Sequence, residues 1–254
     1  MDFEKENAHK DDTFKVPANL KIPNHLAVTM DGNGRWAVSH GKKRTQGHKA
    51  GTDALRRLVE YSIKYKINYL TVFSFSSENW SRPKEEVNFI LRLMRNYINS
   101  DLEKLTSNNV KIRIIGERVG LDKQTLNLIK KAEEKTKNNT GLQLIVAFNY
   151  GGKAEIASAM QKIAQKVLNL DISPSDIDED MITKELYIND VPDPDVVLRT
   201  SGEYRFSNFL LWQSAYAELI FIDDYWPDFN EAIFIKTLKE YSKRERRYGG
   251  VEVK

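Results

Sequence analysis

The sequence predicts an α/β domain in which helices flank a mostly parallel, six-stranded sheet. Short runs rich in Val and Ile alternate with longer segments of helical periodicity, which is the pattern of repeated βα units. Several of the short runs are apolar on both faces, as strands buried in a parallel sheet are. The predicted strands are His25–Met30, Tyr69–Ser74, Lys111–Ile115, Leu142–Phe148, Val196–Arg199 and Glu218–Ile222.

The segments between these strands carry apolar residues at helical spacing. The predicted helices lie near His48–Lys66, Pro83–Leu105, Asp122–Asn138, Lys153–Asn169, Ser175–Tyr187 and Asn230–Arg247. The helix that begins near Pro83 is unusual because it carries two apolar stripes, and one stripe is enough to pack on a sheet. The first stripe is Val87, Leu91, Met94, Ile98, Leu102 and Leu105, and the second is Phe89, Leu93 and Tyr97, with Ile90 between them. The second stripe therefore packs in the core, contacts another subunit or lines an apolar cavity.

Composition and absent motifs exclude several classes of function. The chain has 254 residues, 39 Lys plus Arg and 36 Asp plus Glu, and a net charge of +3; this balance argues against a nucleic-acid partner. With no Cys there is no disulfide, zinc-thiolate site or thiol nucleophile, which suits the cytoplasm. All four His lie before residue 49, so a triad in the order Ser, Asp, His is excluded.

The chain is expected to form one domain preceded by a short tail. Residues 1–22 are polar and mixed in charge, so we expect a flexible tail there and not a signal peptide. No apolar run approaches the roughly 20 residues of a membrane span. We therefore expect a cytoplasmic protein with a single catalytic domain over residues 23–250.

The first candidate site follows the first predicted strand. Asp31 stands at the strand's carboxyl end, where ligands bind in open α/β sheets, and the glycines of residues 32–34 can present bare N–H groups to an anion. A helix starting near Arg35 would add its positive end. A carboxylate beside a phosphate needs a bridging cation, and Mg²⁺ suits oxygen ligands. A plain Asp-Gly turn is the alternative, but the nearby Arg44 and His48 favour an anion site.

Two further candidate sites follow other predicted strands. The segment 75–83 (FSSENWSRP) combines hydroxyl, carboxylate, amide, indole and guanidinium groups in one loop, which favours a ligand with polar and apolar parts. After the fifth strand, Arg199 and Arg205 lie six residues apart and form a plausible diphosphate clamp with Ser207. Glu218 begins the last strand and is expected to reach the same edge. Together these features predict two anionic groups, one divalent cation and an apolar chain.

The chain resembles the cis-prenyltransferases. The resemblance rests on MDGNGRWA, GHKAG, FSSENWSRP, NYGG, RTSGEYRFSNFLLWQSAYAEL, WPDF and RERRYGG, in this order, from about His25 to Gly250. The DDxxD motif of trans-prenyltransferases is absent from the sequence. The resemblance implies a homodimer with a hydrophobic tunnel, dependence on Mg²⁺, and repeated condensation of isopentenyl diphosphate onto farnesyl diphosphate. It points to undecaprenyl diphosphate, a carrier-lipid precursor for cell-wall synthesis, and to peripheral membrane contact for product release.

The resemblance also assigns roles to individual residues. Asp31 and Asn79 match catalytic positions, Asn79 as the proposed proton acceptor, although an amide is a weak base and the released diphosphate or a water is an alternative. Asp31 and Glu218 match the metal-linked carboxylates. The matched substrate-binding positions are Gly32, Asn33, Gly34, Arg35, Trp36, Arg44, His48, Ser76, Ser77, Glu78, Trp80, Arg82, Arg199, Arg205, Phe206 and Ser207.

Three other interpretations stay open at this point. The first is a shorter-chain cis-prenyl diphosphate synthase, since sequence alone does not identify the tunnel floor. A phosphatase of the haloacid-dehalogenase type would need a second carboxylate where this chain has Thr29. A non-catalytic partner subunit would be expected to lack the Asp31 loop or the arginine clamp. One departure from the family pattern is Lys153, which follows NYGG where Arg is common.

Overall fold

A computed structural model describes residues 20–245. Its centre is a six-stranded sheet in the order β3-β4-β2-β1-β5-β6. Every strand pairing is parallel, so the expected mostly parallel sheet is entirely parallel. The strands are β1 His25–Thr29, β2 Tyr69–Ser76, β3 Lys111–Ile115, β4 Gln143–Tyr150, β5 Val196–Arg199 and β6 Glu218–Phe221.

Seven α-helices lie in the described part of the chain. They are α1 Asn33–Ser39, α2 Arg44–Lys64, α3 Lys84–Ser107, α4 Lys123–Thr136, α5 Gly152–Leu168, α6 Glu179–Glu185 and α7 Glu231–Ser242. The helix predicted near Ser175–Tyr187 is present but shorter than expected, because α6 covers only Glu179–Glu185. A 3₁₀ turn at Pro174–Asp176 precedes the short α6, whose N-cap is Asp178. The extended backbone and side-chain cap at Asp178 start a new helix there.

The sheet separates two apolar cores. Successive β1 residues point to opposite faces, and Leu26 and Val28 belong to the larger cluster while Ala27 belongs to the smaller one. The larger cluster includes buried side chains of α2, α3, α4 and α7. The smaller cluster joins sheet residues to Ile188 and Phe209 on the other face. Burial on both faces explains why the strands are continuously apolar.

The position of β1 determines where a ligand can bind. β1 pairs with β2 on one side and with β5 on the other, so the order of the strands reverses there. Such a switch point opens a crevice beyond the carboxyl ends of the strands. Because Thr29 pairs with Arg199, the loop that follows β1 and the loop that follows β5 meet at this crevice. Within residues 20–245, none of the helices has the length and apolarity needed to cross a bilayer.

Candidate active site

A polar cavity of about 850 Å³ opens at the carboxyl ends of the strands. Six cationic side chains and three carboxylates line it. This local excess of positive charge contrasts with the nearly balanced chain as a whole. A cavity walled by several guanidinium groups suits a ligand with more than one phosphate.

The Asp31 carboxylate is fixed by contacts on both of its oxygens. Oδ1 accepts the Gly32 N–H at 2.7 Å, and Oδ2 accepts Nη2 of Arg199 at 2.9 Å. The Thr200 hydroxyl accepts the Asp31 N–H and donates to the Asp31 carbonyl. Burial raises the pKa of Asp31, but the hydrogen bonds from Arg199 and Gly32 outweigh it and hold this pKa below its ordinary value. Asp31 is therefore ionised at neutral pH.

Arg199 is nearly buried at the end of β5 and connects the two loops. Its side chain is 5% exposed. Besides its bond to Asp31, Nη1 donates to the Ser207 hydroxyl at 2.8 Å and to the Arg205 carbonyl. Its Nε has no hydrogen-bond partner in the described structure. A buried donor without a partner is costly, so this atom is available to an additional anion.

The turn at Gly32 depends on glycine. Its φ of +101° lies in the left-handed region, and an added Cβ would stand 2.7 Å from Oγ of Ser201 and 2.9 Å from the Tyr225 ring. A larger residue would be strained and would also clash. The glycine therefore lets the Asp31 loop pack directly on the loop that follows β5.

A second basic cluster surrounds Glu86 in the first turn of α3. His48 contacts Oε1 of Glu86 at 3.2 Å, Arg82 Nη1 donates to the same oxygen at 3.0 Å, and Arg44 Nε lies 3.7 Å from Oε2. Burial lowers the pKa of His48 despite the opposing effect of Glu86. Burial raises the pKa of Glu86, but its bond to His48 and the two arginines lower it overall. Glu86 does not line the cavity. It therefore orients the three side chains, which do line it, through contacts made outside the cavity.

The loop after β2 forms a 3₁₀ turn over Ser77–Ser81. Oδ1 of Asn79 accepts the Ser76 N–H at 3.2 Å, which caps the turn. Glu78 accepts from Asn208 at 2.7 Å. The Trp80 indole donates to Oδ1 of Asn149 at 2.7 Å. These bonds tie the loop to β4 and to the segment after β5.

An apolar cavity of about 110 Å³ adjoins the polar one. Its wall comes from α2, α3 and the strands β2, β3 and β4. Both apolar stripes of α3 contribute. Leu93 and Tyr97 come from the second stripe, Ile90 lies between the stripes, and the first stripe supplies Met94, Ile98 and Leu105. The second stripe thus lines a cavity. The two cavities share wall residues, which are Met30, Asn33, His48, Phe73, Ser74 and Ile90.

Most of the predicted site residues meet at the polar cavity. Those that line it are Asp31, Gly32, Asn33, Gly34, Arg35, Arg44, His48, Ser76, Glu78, Asn79, Arg82, Arg199, Arg205 and Ser207. Trp36, Ser77, Trp80 and Phe206 do not line it. Trp36 donates its indole N–H to Asp228 at 2.7 Å and stacks on His40.

The expectation that Glu218 reaches the same edge is wrong within one chain. Glu218 starts β6 and pairs in register with Val196, whereas Phe221 pairs with Arg199. In a parallel sheet this places Glu218 at the amino ends of the strands, about 16 Å along the strand direction from Asp31. Its carboxylate instead pairs with Arg244 at 3.1 Å. Two further arginines of the C-terminal motif, at 246 and 247, lie outside the described residues.

Sequence reasoning missed three charged residues of the site. Glu203 lines the cavity and pairs with Arg35 and Arg205. Lys153, in the first turn of α5, also lines the cavity. Glu86 holds the second basic cluster, although in sequence it looks like an ordinary acidic residue at a helix start. Two of them carried a signal in the sequence, since Glu203 lies between Arg199 and Arg205 in one motif and Lys153 directly follows NYGG.

The donor set at Asp31 fits a magnesium ion carried by a diphosphate. The described residues contain no cluster of three or more His, Cys, Asp or Glu side chains that could hold a metal alone. Mg²⁺ keeps several waters and commonly binds one or two carboxylates plus substrate phosphates. Asp31 is 32% exposed on the cavity wall, so it would supply one such carboxylate.

Comparison with known proteins identifies the family. The family model described as putative undecaprenyl diphosphate synthase matches residues 29–249. An isoprenyl transferase of Bradyrhizobium diazoefficiens is 49% identical over 94% of both chains, and one of Thermotoga maritima is 47% identical over 91% of this chain and 99% of the relative.

Solved structures agree with this result. Lavandulyl diphosphate synthase from Lavandula x intermedia, in complex with dimethylallyl diphosphate, superposes with a TM-score of 0.87 at 35% identity, covering 89% of this chain and 98% of that one. A probable undecaprenyl diphosphate synthase from Campylobacter jejuni gives a TM-score of 0.76 at 33% identity, covering 91% and 100%. The chain therefore belongs to the isoprenyl transferase family of cis-prenyltransferases.

Proposed function

We propose that this protein condenses isopentenyl diphosphate repeatedly with an allylic diphosphate, starting from farnesyl diphosphate, to make a long polyprenyl diphosphate such as undecaprenyl diphosphate. The observation that carries the proposal is the junction of two cavities of opposite character. The polar cavity offers guanidinium groups for two diphosphates, and the apolar cavity that shares its wall offers an apolar lining to the prenyl chain attached to them. A site for small polar phosphates alone would not need the second cavity.

Each condensation forms one C–C bond and breaks one C–O bond. The allylic C–O bond breaks, its electron pair leaves with the diphosphate, and the double bond of isopentenyl diphosphate attacks the allylic carbon. A proton is then lost, which creates the new double bond. Charge develops on the departing diphosphate, where the Gly32 turn, Arg35, Arg44 and His48 line the cavity. Fixed donors aimed at developing charge are a large source of rate enhancement. Mg²⁺ held by Asp31 would supply further neutralisation of that charge.

The second substrate must lie with its double bond next to the reacting carbon. Arg199, Arg205 and Ser207 lie together after β5, and this cluster supports the binding of the isopentenyl diphosphate group. Arg199 also contacts Asp31 at 2.9 Å, so the two diphosphate positions are neighbours. Such proximity makes the condensation effectively unimolecular.

We propose that the released diphosphate or a water, and not Asn79, accepts the proton. Oδ1 of Asn79 already accepts the Ser76 N–H, and a carboxamide is a weak base. We therefore propose a positioning role for Asn79, in which it shapes the 3₁₀ turn beside the reacting carbons. The other loop residues of the motif, Ser77 and Trp80, support that turn from outside the cavity.

We also propose a homodimer that works in the cytoplasm and contacts the membrane peripherally for product release. β6 is the edge strand of the sheet, and Tyr204 and Tyr216 nearby are exposed. An edge strand with exposed aromatic side chains beside it suits pairing between copies of the chain. The apolar product must leave the apolar cavity, and a lipid surface would keep it out of water as it leaves.

The test is incubation of the protein with farnesyl diphosphate, labelled isopentenyl diphosphate and Mg²⁺, followed by sizing of the products. We expect polyprenyl products longer than the primer, with release of inorganic pyrophosphate. The product length separates an undecaprenyl synthase from a shorter-chain enzyme. Absence of any elongated product would refute the proposed function.

A further inference from the structure

The Glu203 carboxylate lies between two guanidinium groups of the polar cavity. Glu203 is in the turn after β5, its side chain is 19% exposed, and it lines the cavity. It accepts from Arg35 Nη1 at 2.7 Å with one oxygen and pairs with Arg205 through the other. The two arginine side chains are 45% and 60% exposed, so both can turn toward a ligand.

The two arginines lie on either side of Glu203 and come from different parts of the chain. Arg35 is in α1, and its Nη2 lies 3.4 Å from Oδ1 of Asp31. Arg205 is in the loop after β5, and its backbone carbonyl accepts a hydrogen bond from Arg199. Opposite charges therefore alternate across the cavity from Arg199 through Asp31, Arg35 and Glu203 to Arg205. If the proposed function is right, on which this inference rests, Glu203 lies between the allylic and the isopentenyl diphosphate positions.

A carboxylate in this place competes with the ligands. Guanidinium groups bind carboxylates and phosphates through the same planar set of N–H donors. A diphosphate that binds Arg35 or Arg205 must share or displace the contact with Glu203. The negative charge of Glu203 also repels a neighbouring diphosphate.

In repeated condensation, this competition would help ligands to leave the arginines after each cycle. After each cycle the pyrophosphate on the allylic side has to leave, and the diphosphate of the lengthened chain has to cross from the Arg205 side to the Arg35 side. Tight binding on either side would slow both movements. A carboxylate that can replace the departing diphosphate as the partner of each arginine would speed both movements.

We propose that Glu203 is a positioning residue that competes with diphosphate for Arg35 and Arg205 and thereby speeds pyrophosphate release and transfer of the lengthened chain. Glu203 thus weakens the binding of each diphosphate group. The gain appears in turnover, because the rate of a repeated reaction depends on how fast the site is cleared.

The test measures binding of inorganic pyrophosphate to the full chain by calorimetry, with and without Mg²⁺. We expect Glu203→Gln to bind pyrophosphate about fivefold to tenfold more tightly, since two partly exposed ion pairs no longer compete. Glu203→Asp keeps the charge and should stay near the wild-type affinity. Glu240→Gln is the control, because Glu240 also pairs with an arginine, Arg244, but does not line the cavity.

A kinetic measurement completes the test. In Glu203→Gln we expect the first condensation, measured in a single turnover, to keep its rate while steady-state turnover falls about fivefold. Unchanged or weaker pyrophosphate binding in Glu203→Gln would overturn the inference, as would equal tightening in Glu240→Gln. The binding arm needs no condensation activity, so failure of the wild-type protein to elongate farnesyl diphosphate would refute the proposed function alone.

Discussion

At the scale of single residues, Asp31 is the side chain on which the proposed chemistry depends most. We expect Asp31→Ala to lower turnover by at least about 10²-fold, since it removes the carboxylate that would hold the metal at the leaving group. Binding of pyrophosphate without Mg²⁺ should largely survive, because Arg199 loses its 2.9 Å partner and becomes free for the ligand. Steady-state kinetics and calorimetry measure the two effects separately. Turnover near that of the wild type would remove Asp31 from the mechanism.

Ionisation of Asp31 also has a consequence for pH dependence. The bonds from Arg199 and Gly32 lower its pKa below the ordinary range for aspartate, so the carboxylate is charged throughout the neutral range. Any loss of activity between pH 7 and 6 therefore comes from another group. An Asp31→Asn variant with residual activity should show the same pH profile in that window.

Ser201, next to the Asp31 loop, is held in a strained conformation. Its φ is +81°, it is 5% exposed, and its hydroxyl has no partner in the described structure. We expect Ser201→Gly to raise the free energy of unfolding by about 1 kcal/mol, because glycine adopts positive φ without a steric penalty. Ser201→Ala is the control, since it removes the hydroxyl but keeps the strain. Denaturant unfolding should rank the glycine variant above the alanine variant; equal stabilities would show that the backbone is unstrained.

At the scale of elements, β1 carries a buried histidine at its start. His25 is fully buried, with Nδ1 2.6 Å from the Pro192 carbonyl and Nε2 2.7 Å from the Thr71 hydroxyl. A carbonyl only accepts, so Nδ1 carries the proton and Nε2 accepts from Thr71. Burial lowers the pKa of His25 to about 4, against the opposing effects of Pro192 and Asp195. The neutral imidazole is thus part of the bonding that joins β1 to β2.

This histidine makes stability depend on pH. Because the pKa of His25 is lower in the folded chain than in the unfolded chain, the unfolded chain binds more protons between about pH 6.5 and 4. The contribution is complete above pH 6.5 and is lost as the pH falls through that window. We expect this histidine to lower the free energy of unfolding by about 2 kcal/mol between pH 7 and pH 5. His25→Gln should lose less stability over this interval by about that amount, measured by denaturant unfolding; parallel pH profiles would contradict the assignment.

Elements with strong local signals were predicted well, and contacts between elements were not. The bounds of Lys111–Ile115 and Val196–Arg199 agree with the structure because apolar runs between turn residues are a local property. The position of Glu218 was wrong because it depends on strand direction and register, which no local pattern encodes. Glu203 was missed for the same reason, since its two arginine partners come together only when the loops after β1 and β5 meet.

At the scale of the whole molecule, the apolar cavity follows α3 from Ile90 beside the polar cavity to Leu105, near the helix end. Fifteen residues of helix span about 22 Å, so position along α3 measures depth in the cavity. A bulky side chain should stop chain growth at the depth where it projects, while the first condensation, which needs only the shallow part, continues. Product length should therefore report the depth of the obstruction.

We expect Ile98→Phe to give shorter products than Leu105→Phe, and both to give shorter products than the wild type. Both positions line the cavity and are buried, so overpacking should also cost about 1–3 kcal/mol of stability, which a thermal melt checks. Asn99→Phe places the same ring on the exposed face of α3 and should leave product length unchanged. Chromatographic sizing decides the order. If Ile98→Phe and Leu105→Phe give the same product length as the wild type, the growing chain does not run along α3, because a ring in its path would have to shorten it.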